Sequence, residues 1–192
     1  MGPGNPKYLT VEVKEAIEKF DKVVAFGRVS SSLKHIREDI KTINKVTHID
    51  YLLKEYDDIL ILASGDPCFY GIVEYLKGRN IKIEKIMPGI SSFQYMMARL
   101  YKSWHEANFI SLHGRDGNLE TVKDHKLSIV LTDEENTPSK ISNRLYEVGI
   151  KGRIYTGFNL SYEDEKIIKK EVGEKIDDIS PLAVVVIENE MD

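Results

Sequence analysis

Three glycine-containing loops hold the residue types in this sequence that could bind a small ligand. They are residues 2–6 (GPGNP), residues 63–71 (ASGDPCFYG) and residues 87–92 (MPGISS). Because glycine has no Cβ, the backbone of such a loop can approach a ligand closely. Asp66 adds a carboxylate that accepts hydrogen bonds, and the hydroxyl of Ser91 can donate or accept one. The second and third loops each follow an apolar run, which is where open α/β sheets bind their ligands.

Each loop also has a purely structural interpretation. Residues 2–6 can form a simple turn, and Asp66 can be the N-cap of the helix that follows its strand. Ser91 and Ser92 can cap the next helix in the same way. The residues alone leave both interpretations open, and for Asp66 the two can hold together.

Familiar catalytic and cofactor motifs are absent from the sequence. It has no Gly-x-x-x-x-Gly-Lys-Ser/Thr loop for nucleotide phosphates and no Gly-x-Gly-x-x-Gly fingerprint for dinucleotides. It also lacks a Gly-x-Ser-x-Gly elbow, and it has no Cys-x-x-Cys pair. The histidines show no close ligand spacing, so we expect no metal site.

Short apolar runs alternate with amphipathic segments along the chain. The runs that predict strands are 23–26, 41–46, 59–63, 81–86, 109–112, 127–131, 153–155 and 182–187. Thr10 is the predicted N-cap of one helix, Thr47 precedes a second, and Thr137 with Pro138 begins a third that ends before Gly149. The alternation predicts a parallel α/β architecture.

Residues 113–118 (HGRDGN) interrupt this pattern and predict a boundary between an N-terminal domain, residues 1–112, and a C-terminal domain, residues 113–192. The charged run at residues 163–171 is predicted to be a solvated face. Trp104 and the apolar stripe of the preceding helix favour core packing or a dimer face over stacking on a ligand. The stripe consists of Phe93, Met96, Met97 and Leu100.

Composition excludes several classes of protein. The 192 residues carry 27 Lys+Arg against 31 Asp+Glu, a net charge of −4 that argues against a nucleic-acid partner. Cys68 is the only cysteine, so no internal disulfide can form, which suits a reducing compartment. No apolar run approaches the roughly 20 residues of a membrane span, and the first residues do not form a signal peptide. We expect a cytoplasmic protein that does not associate with membranes.

The order of the three loops, GPGNP followed by YLT, then SGDP, then PGISSF, resembles the tetrapyrrole methylase family. Further along, the segments SLHGR (111–115), LTD (131–133) and NLSY (159–162) resemble the members that methylate carbon 5 of a cobalt-precorrin in anaerobic cobalamin biosynthesis. The resemblance covers essentially the whole chain.

The resemblance implies two α/β domains of the tetrapyrrole methylase type, with S-adenosylmethionine in the cleft between them. It implies transfer of a methyl group to a cobalt-precorrin, with S-adenosylhomocysteine as the second product. The cofactor-binding residues that it implies are Pro3, Ser64, Gly65, Asp66, Phe69, Ser91, Ser92, Leu131, Thr132, Asn159 and Leu160. The residues expected to handle the proton or orient the ring are Asp66, Tyr70, His113 and Arg115.

The expected substrate carries many carboxylates, for which arginine is the better binder because it makes bidentate hydrogen bonds. Arg28 and Arg115 follow predicted strands and are the first candidates for this role. The family usually forms homodimers. Because no decarboxylating C(15)-methyltransferase domain is recognised in the sequence, that activity is expected from a separate protein.

In the family a hydrophobic strand precedes the first glycine loop, whereas only Met1 precedes it here. The expectation is therefore that the first strand is missing, through numbering from an internal Met or through truncation. Other interpretations stay open: another precorrin or uroporphyrinogen methyltransferase of this fold, a ribosomal RNA methyltransferase, or a non-catalytic module that binds S-adenosylmethionine or a tetrapyrrole.

Overall fold

The computed structural model describes residues 1–114 and 117–191, and the chain divides into two units, Met1–Ser92 and Phe93–Asp192. This division comes earlier than the predicted boundary at residue 113. The reason lies in the packing of Phe93, whose ring lies edge-on to Trp104 at 5.2 Å and to Phe109 at 4.9 Å between centroids. The helix that begins at Ser92 therefore belongs with the residues that follow it.

The first unit is built on a parallel sheet of three short strands in the order β2-β1-β3. Its strands are β1 (Val23–Phe26), β2 (Lys41–Ile43) and β3 (Leu60–Leu62). Its helices are α1 (Val11–Lys19), α2 (Gly27–Leu33), α3 (His48–Glu55) and α4 (Ile72–Gly78), with a 3₁₀ turn at Pro6–Tyr8.

Helix α1 shows why these elements form where they do. The Thr10 side chain accepts a hydrogen bond from the Val13 N–H at 3.3 Å, which confirms the predicted N-cap. Val13 and Ile17 lie one turn apart on the buried face of the helix. At the other end, the Arg37 guanidinium donates to the carbonyl oxygens of Ile17 and Asp21, at 2.9 and 3.0 Å. The helix is thus held at both ends and along one face.

One prediction for this unit is wrong. Residues 81–86 are not a strand, because no strand in the described part of the chain pairs with their backbone. Ile81 and Ile83 nevertheless pack against the core, as the apolar pattern predicted. Thr47 directly precedes α3, as predicted, and because its own backbone is already helical its side chain makes no capping hydrogen bond.

The second unit contains a five-stranded sheet in the order β4-β5-β8-β6-β7. Its strands are β4 (Asn108–Ser111), β5 (Leu127–Leu131), β6 (Gly152–Phe158), β7 (Lys166–Glu171) and β8 (Ala183–Asn189). Its helices are α5 (Ser92–Leu100) and α6 (Pro138–Glu147), with a 3₁₀ helix at Leu119–Asp124. Thr137 caps α6, and Gly149 follows it with φ +83°, as the sequence predicted.

The parallel arrangement predicted for the whole chain is wrong for most of this sheet. Only β4 and β5 pair in parallel, whereas the pairs of β5 with β8, β8 with β6 and β6 with β7 are antiparallel. Most of the charged run at residues 163–171 forms the edge strand β7. The predicted solvated face is confirmed for the exposed residues Glu163, Asp164, Lys166, Lys169 and Glu171. Lysines are common on edge strands because they discourage pairing with a second chain.

Helices cover the buried residues of this sheet. Ile141 and Leu145 of α6 are fully buried with Ile154 and Ile187 of the central strands. The stripe of α5 is also packed in the core, since Phe93, Met96 and Met97 are buried, which confirms that prediction. None of the helices that the structure describes has the length and apolar character that a membrane crossing requires.

We expect Gly152→Ala to destabilise the second unit. Gly152 has φ +133°, and a Cβ there would overlap the carbonyl oxygen of Glu188 in the neighbouring strand. The backbone strain of an alanine at this φ and the displacement of Glu188 together should lower the free energy of unfolding by about 2–4 kcal/mol. Urea denaturation measures this loss.

The matched control is Gly78→Ala, because nothing lies within 4 Å of a Cβ at this helical position. This variant should be neutral or up to about 1 kcal/mol more stable. Equal stability of the two variants would contradict the assigned contact between β6 and β8.

Candidate functional site

The three glycine loops that the sequence singled out come together in the first unit. The Gly65 N–H donates to the carbonyl oxygen of Gly2 at 3.3 Å. A Cβ at Gly89 would lie only 2.5 Å from the Gly65 carbonyl oxygen, and one at Gly65 would lie 3.5 Å from the Ser91 Cα. The backbones are in direct contact, which only glycine permits at residue 89. Pro3 lies in the first of these loops.

The loop after β3 carries most of the predicted site residues. The Asp66 carboxylate accepts a hydrogen bond from the Cys68 N–H at 2.8 Å, which forms a turn within the loop. The alternative of Asp66 as a helix N-cap is therefore wrong, because Gly71 occupies the N-cap position of α4. Ser64 is exposed, and its hydroxyl has no hydrogen-bond partner among the described residues. It is available to a ligand.

The end of this loop has a strained backbone. Tyr70 adopts φ +49°, which is uncommon for a residue with a side chain. Its ring lies edge-on to that of Phe69, with 4.9 Å between the centroids. Strain of this kind clusters at binding and catalytic sites. The functional role of this loop stays a prediction from the sequence.

The third loop leads into α5. Ser91 is 5% exposed and packs against Gly65, whereas Ser92 is the first residue of the helix. The two serines predicted to bind the cofactor therefore differ in access. Ser91 supports the neighbouring loop, and Ser92 is partly exposed.

In the second unit, the ends of β4 and β5 bring His113 and Thr132 together. The Leu112 N–H continues the ladder by donating to the Leu131 carbonyl oxygen at 2.9 Å. His113 Nδ1 then lies 3.1 Å from the carbonyl oxygen of Thr132. A carbonyl oxygen only accepts, so Nδ1 carries the hydrogen and the neutral ring keeps its lone pair on Nε2. Nε2 has no partner in the described part of the chain.

The side chain of Thr132 is already engaged. Its hydroxyl donates to the carbonyl oxygen of Ala183 at 2.8 Å, which ties β5 to the start of β8. Thr132 is 5% exposed, and Leu131 is half-buried. The hydroxyl hydrogen of Thr132 is therefore not available to a ligand, which could contact only other atoms of this residue.

A strained turn follows β6. Asn159 and Ser161 adopt φ values of +48° and +73°. The Asn159 amide donates to Asp164 at 2.7 Å and accepts from the Ser180 hydroxyl at 2.6 Å. Both ends of the predicted cofactor-binding amide are thus occupied within the protein. Leu160, the other predicted contact in this turn, is 5% exposed.

Glu165 supports the same turn from its other side. Its carboxylate accepts from the Ser161 N–H at 2.7 Å and from Arg99 Nε at 3.2 Å. Sequence reasoning missed Asp164 and Glu165 because they lie in a run of charges that is typical of solvated surface. Their place shortly after Asn159 and Ser161 in the chain was the available signal, but only the contacts show that they support this turn.

Several arginines are paired within the described part of the protein, whereas Arg28 is not. Arg37, Arg79, Arg99 and Arg153 each lie within 4 Å of a carboxylate of their own unit. Arg28 is exposed, follows β1 and has no partner among the described residues. Arg115, predicted to contact the substrate, lies outside the described residues. Within the part that the structure describes, no group of His, Cys, Asp or Glu could hold a metal ion.

We expect the amide of Asn159 to contribute to stability through both its hydrogen bonds and its tolerance of positive φ. Asn159→Ala removes both and should lower the free energy of unfolding by about 2–3 kcal/mol. Asn159→Gly restores the backbone freedom alone and should recover about 1 kcal/mol of that loss in urea denaturation.

The control is Asn143→Ala on the exposed face of α6, which should be nearly neutral. If the alanine and glycine variants at residue 159 were equally stable, positive φ would not be a source of strain in this turn.

Comparison with known proteins supports the resemblance found in the sequence. The family model for tetrapyrrole (corrin/porphyrin) methylases matches residues 1–176. The probable cobalt-precorrin-7 C(5)-methyltransferase of Methanocaldococcus jannaschii is 35% identical, over 99% of this chain and 96% of the relative. The cobalt-precorrin-7 C(5)-methyltransferase of Salmonella typhimurium is 30% identical, over 98% of this chain and 96% of the relative.

Solved structures have the same fold. A precorrin-6Y methylase from Archaeoglobus fulgidus superposes with a TM-score of 0.73 at 22% identity, over 99% of this chain and 96% of the other. A uroporphyrin-III C-methyltransferase from Thermus thermophilus, in complex with S-adenosylhomocysteine, superposes with a TM-score of 0.75 at 20% identity, over 97% of this chain and 93% of the other.

Proposed function

The chain belongs to the tetrapyrrole (corrin/porphyrin) methylase family, and from this membership we propose that it methylates carbon 5 of cobalt-precorrin-7 in anaerobic cobalamin biosynthesis. The observation that carries the proposal is the identity of 35% over 99% of the chain to a relative named for that reaction. The methyl donor in the proposal is S-adenosylmethionine, and the product formed from it is S-adenosylhomocysteine.

The loops of the first unit have donors that suit this cofactor. The exposed Ser64 hydroxyl is free to bond to a ribose or carboxylate oxygen, and Phe69 of the same loop offers an aromatic ring. The cofactor contacts proposed for the first unit are Pro3, Ser64, Gly65, Asp66, Phe69, Ser91 and Ser92, and those for the second unit are Leu131, Thr132, Asn159 and Leu160.

The hydrogen bonds within the protein refine these proposals. Because the Asn159 amide, the Asn159 backbone N–H and the Thr132 hydroxyl hydrogen already have protein partners, these residues would contact the cofactor through the remaining lone pairs of their oxygens or through van der Waals contact. Leu160 would contribute an apolar surface, since its side chain is held against Gly157. Recognition in the second unit would therefore depend on shape and on acceptor oxygens more than on side-chain donors.

The chemistry requires positioning more than acid–base power. When bound, the cofactor would supply an electrophilic methyl group. The S–CH₃ bond breaks as the new C–C bond forms, and its electron pair stays on the sulfur of S-adenosylhomocysteine. The methylated carbon must then lose its proton, and His113 is the proposed acceptor because Nε2 holds a lone pair without a protein partner. Asp66, Tyr70 and Arg115 are proposed to orient the ring.

Mass spectrometry of the reaction tests the proposal directly. Cobalt-precorrin-7 incubated with the protein and S-adenosylmethionine should gain one methyl group, and S-adenosylhomocysteine should form in equal amount. If only another precorrin or uroporphyrinogen were methylated, the proposed substrate would be wrong, but the protein would still be a methyltransferase of this family. Binding of S-adenosylmethionine in calorimetry without turnover on any of these rings would favour a non-catalytic binding module and overturn the proposal.

Arg28 is proposed to bind a carboxylate of the tetrapyrrole. β1 and β3 pair in parallel, so Arg28 leaves the same edge of the sheet as the Ser64 loop. Arg28→Ala should raise the KM for the tetrapyrrole about three- to tenfold, as expected for one exposed charge pair, with little change in kcat.

Arg144→Ala is the matched control, because Arg144 is exposed on α6 without an ion-pair partner in the described residues. Its steady-state constants should equal those of the wild type. An unchanged KM in the Arg28 variant would remove Arg28 from the substrate site.

Three finer proposals accompany this function. We propose that the protein is cytoplasmic, which its single free cysteine, Cys68, supports. We propose that it forms a homodimer, as members of the family usually do, and light scattering of the purified protein would test this. A separate decarboxylating C(15)-methyltransferase is the proposed partner in the same biosynthetic sequence.

A further inference from the structure

The geometry points to Asp133 as a positioning residue that holds the His113 ring in the orientation and tautomer needed to accept a proton. This inference rests on the proposed function, since it assigns a support to the proposed proton acceptor. Asp133 was not among the site residues predicted from the sequence, although it belongs to the segment Leu131-Thr132-Asp133 that carried the resemblance.

One carboxylate joins the two loops that leave β4 and β5. Asp133 Oδ2 accepts a hydrogen bond from the Gly114 N–H at 3.1 Å, directly after His113. Asp133 Oδ1 accepts from the backbone N–H groups of Glu135 and Asn136, at 3.0 and 2.7 Å, and from the Asn136 side chain at 3.1 Å. Each oxygen thus fixes a different loop, and the carboxylate connects them.

The contacts before Asp133 show what this connection does to the histidine. Beyond the last paired residues of the strands, Leu112 bonds to Leu131 and the His113 ring bonds to Thr132. The Gly114–Asp133 bond is the next along the same two chains. His113 is therefore held by a contact on each side of it. Loss of the Gly114–Asp133 hydrogen bond would leave the exposed His113 ring free to rotate away from the Thr132 carbonyl oxygen.

Asp133 can do this only as a carboxylate. Its four contacts are all with N–H donors, so a proton on either oxygen would remove an acceptor. A hydrogen bond from the Asn136 backbone N–H, and a second from the Gly114 N–H, hold the pKa of Asp133 below its ordinary value. Burial acts in the opposite direction but is outweighed. An asparagine would keep the shape but supply a single acceptor oxygen, so one loop would lose its anchor.

The test combines Asp133→Asn with His113→Ala. His113→Ala should lower kcat about 100-fold, and Asp133→Asn about tenfold, with the KM for S-adenosylmethionine changed less than about threefold. If Asp133 acts through His113, adding Asp133→Asn to His113→Ala should lower kcat by less than about twofold. Losses that multiply in the double variant would overturn the inference.

Asp178→Asn is the matched control. Asp178 also accepts from a backbone N–H, that of Ser139 at 3.0 Å in the first turn of α6, but it is not bonded to the His113 loop. Its substitution should lower the melting temperature without changing kcat. A fall in kcat equal to that of Asp133→Asn would mean that loss of any such carboxylate suffices, and the specific role of Asp133 would be wrong.

A readout that needs no activity separates this inference from the proposed function. Nitrogen NMR of the imidazole rings, assigned with His113→Ala, should show His113 with hydrogen on Nδ1 in the wild type and a mixture of tautomers in Asp133→Asn. An unchanged tautomer in the variant would overturn the positioning role. If the wild type transfers no methyl group, the proposed function fails, and the tautomer alone decides whether Asp133 positions the ring.

Discussion

Parallel pairing of neighbouring strands is the constraint on which the candidate site depends in each unit. β1 and β3 pair in parallel in the first unit, and β4 and β5 do so in the second. Strands paired in this way end at the same edge of their sheet, so the loops that follow them are neighbours in space although they are distant in sequence. This geometry determines where the loop of residues 63–71 lies after β3 and where His113 lies after β4.

Where the strands end, backbone N–H groups lose their ladder partners and side-chain oxygens replace them. Asp66 accepts from Cys68, Asp133 joins two loops, and Glu165 supports the strained turn after β6. An unpaired backbone donor is costly when shielded from water, so each of these carboxylates stabilises a loop conformation that would otherwise be open. These acidic residues are therefore part of the framework of the candidate site.

Several arginines are likewise engaged in contacts within the protein. The protein has a net charge of −4, yet its proposed substrate is rich in carboxylates. Four arginines are paired with acids of their own unit: Arg37, Arg79, Arg99 and Arg153. Arg28, just after the carboxyl end of β1, is exposed and has no such partner among the described residues. A free guanidinium at the end of a strand can attract an anionic ring without a generally basic surface.

The sequence by itself determined the local features: β1, β5, the capped ends of α1 and α6, and the three loops whose order resembles one family. Each depends on residues close together in the chain, such as Thr10 with Val13. Only the tertiary structure decided that the second sheet is mostly antiparallel, that residues 81–86 form no strand, and that the charged run is an edge strand. It also decided which polar groups are already occupied, as in Asn159, and that Asp133 joins two loops. Strand pairing and hydrogen bonds join residues that are distant in sequence, and hydrophobic periodicity carries no information about which distant partner a residue will meet.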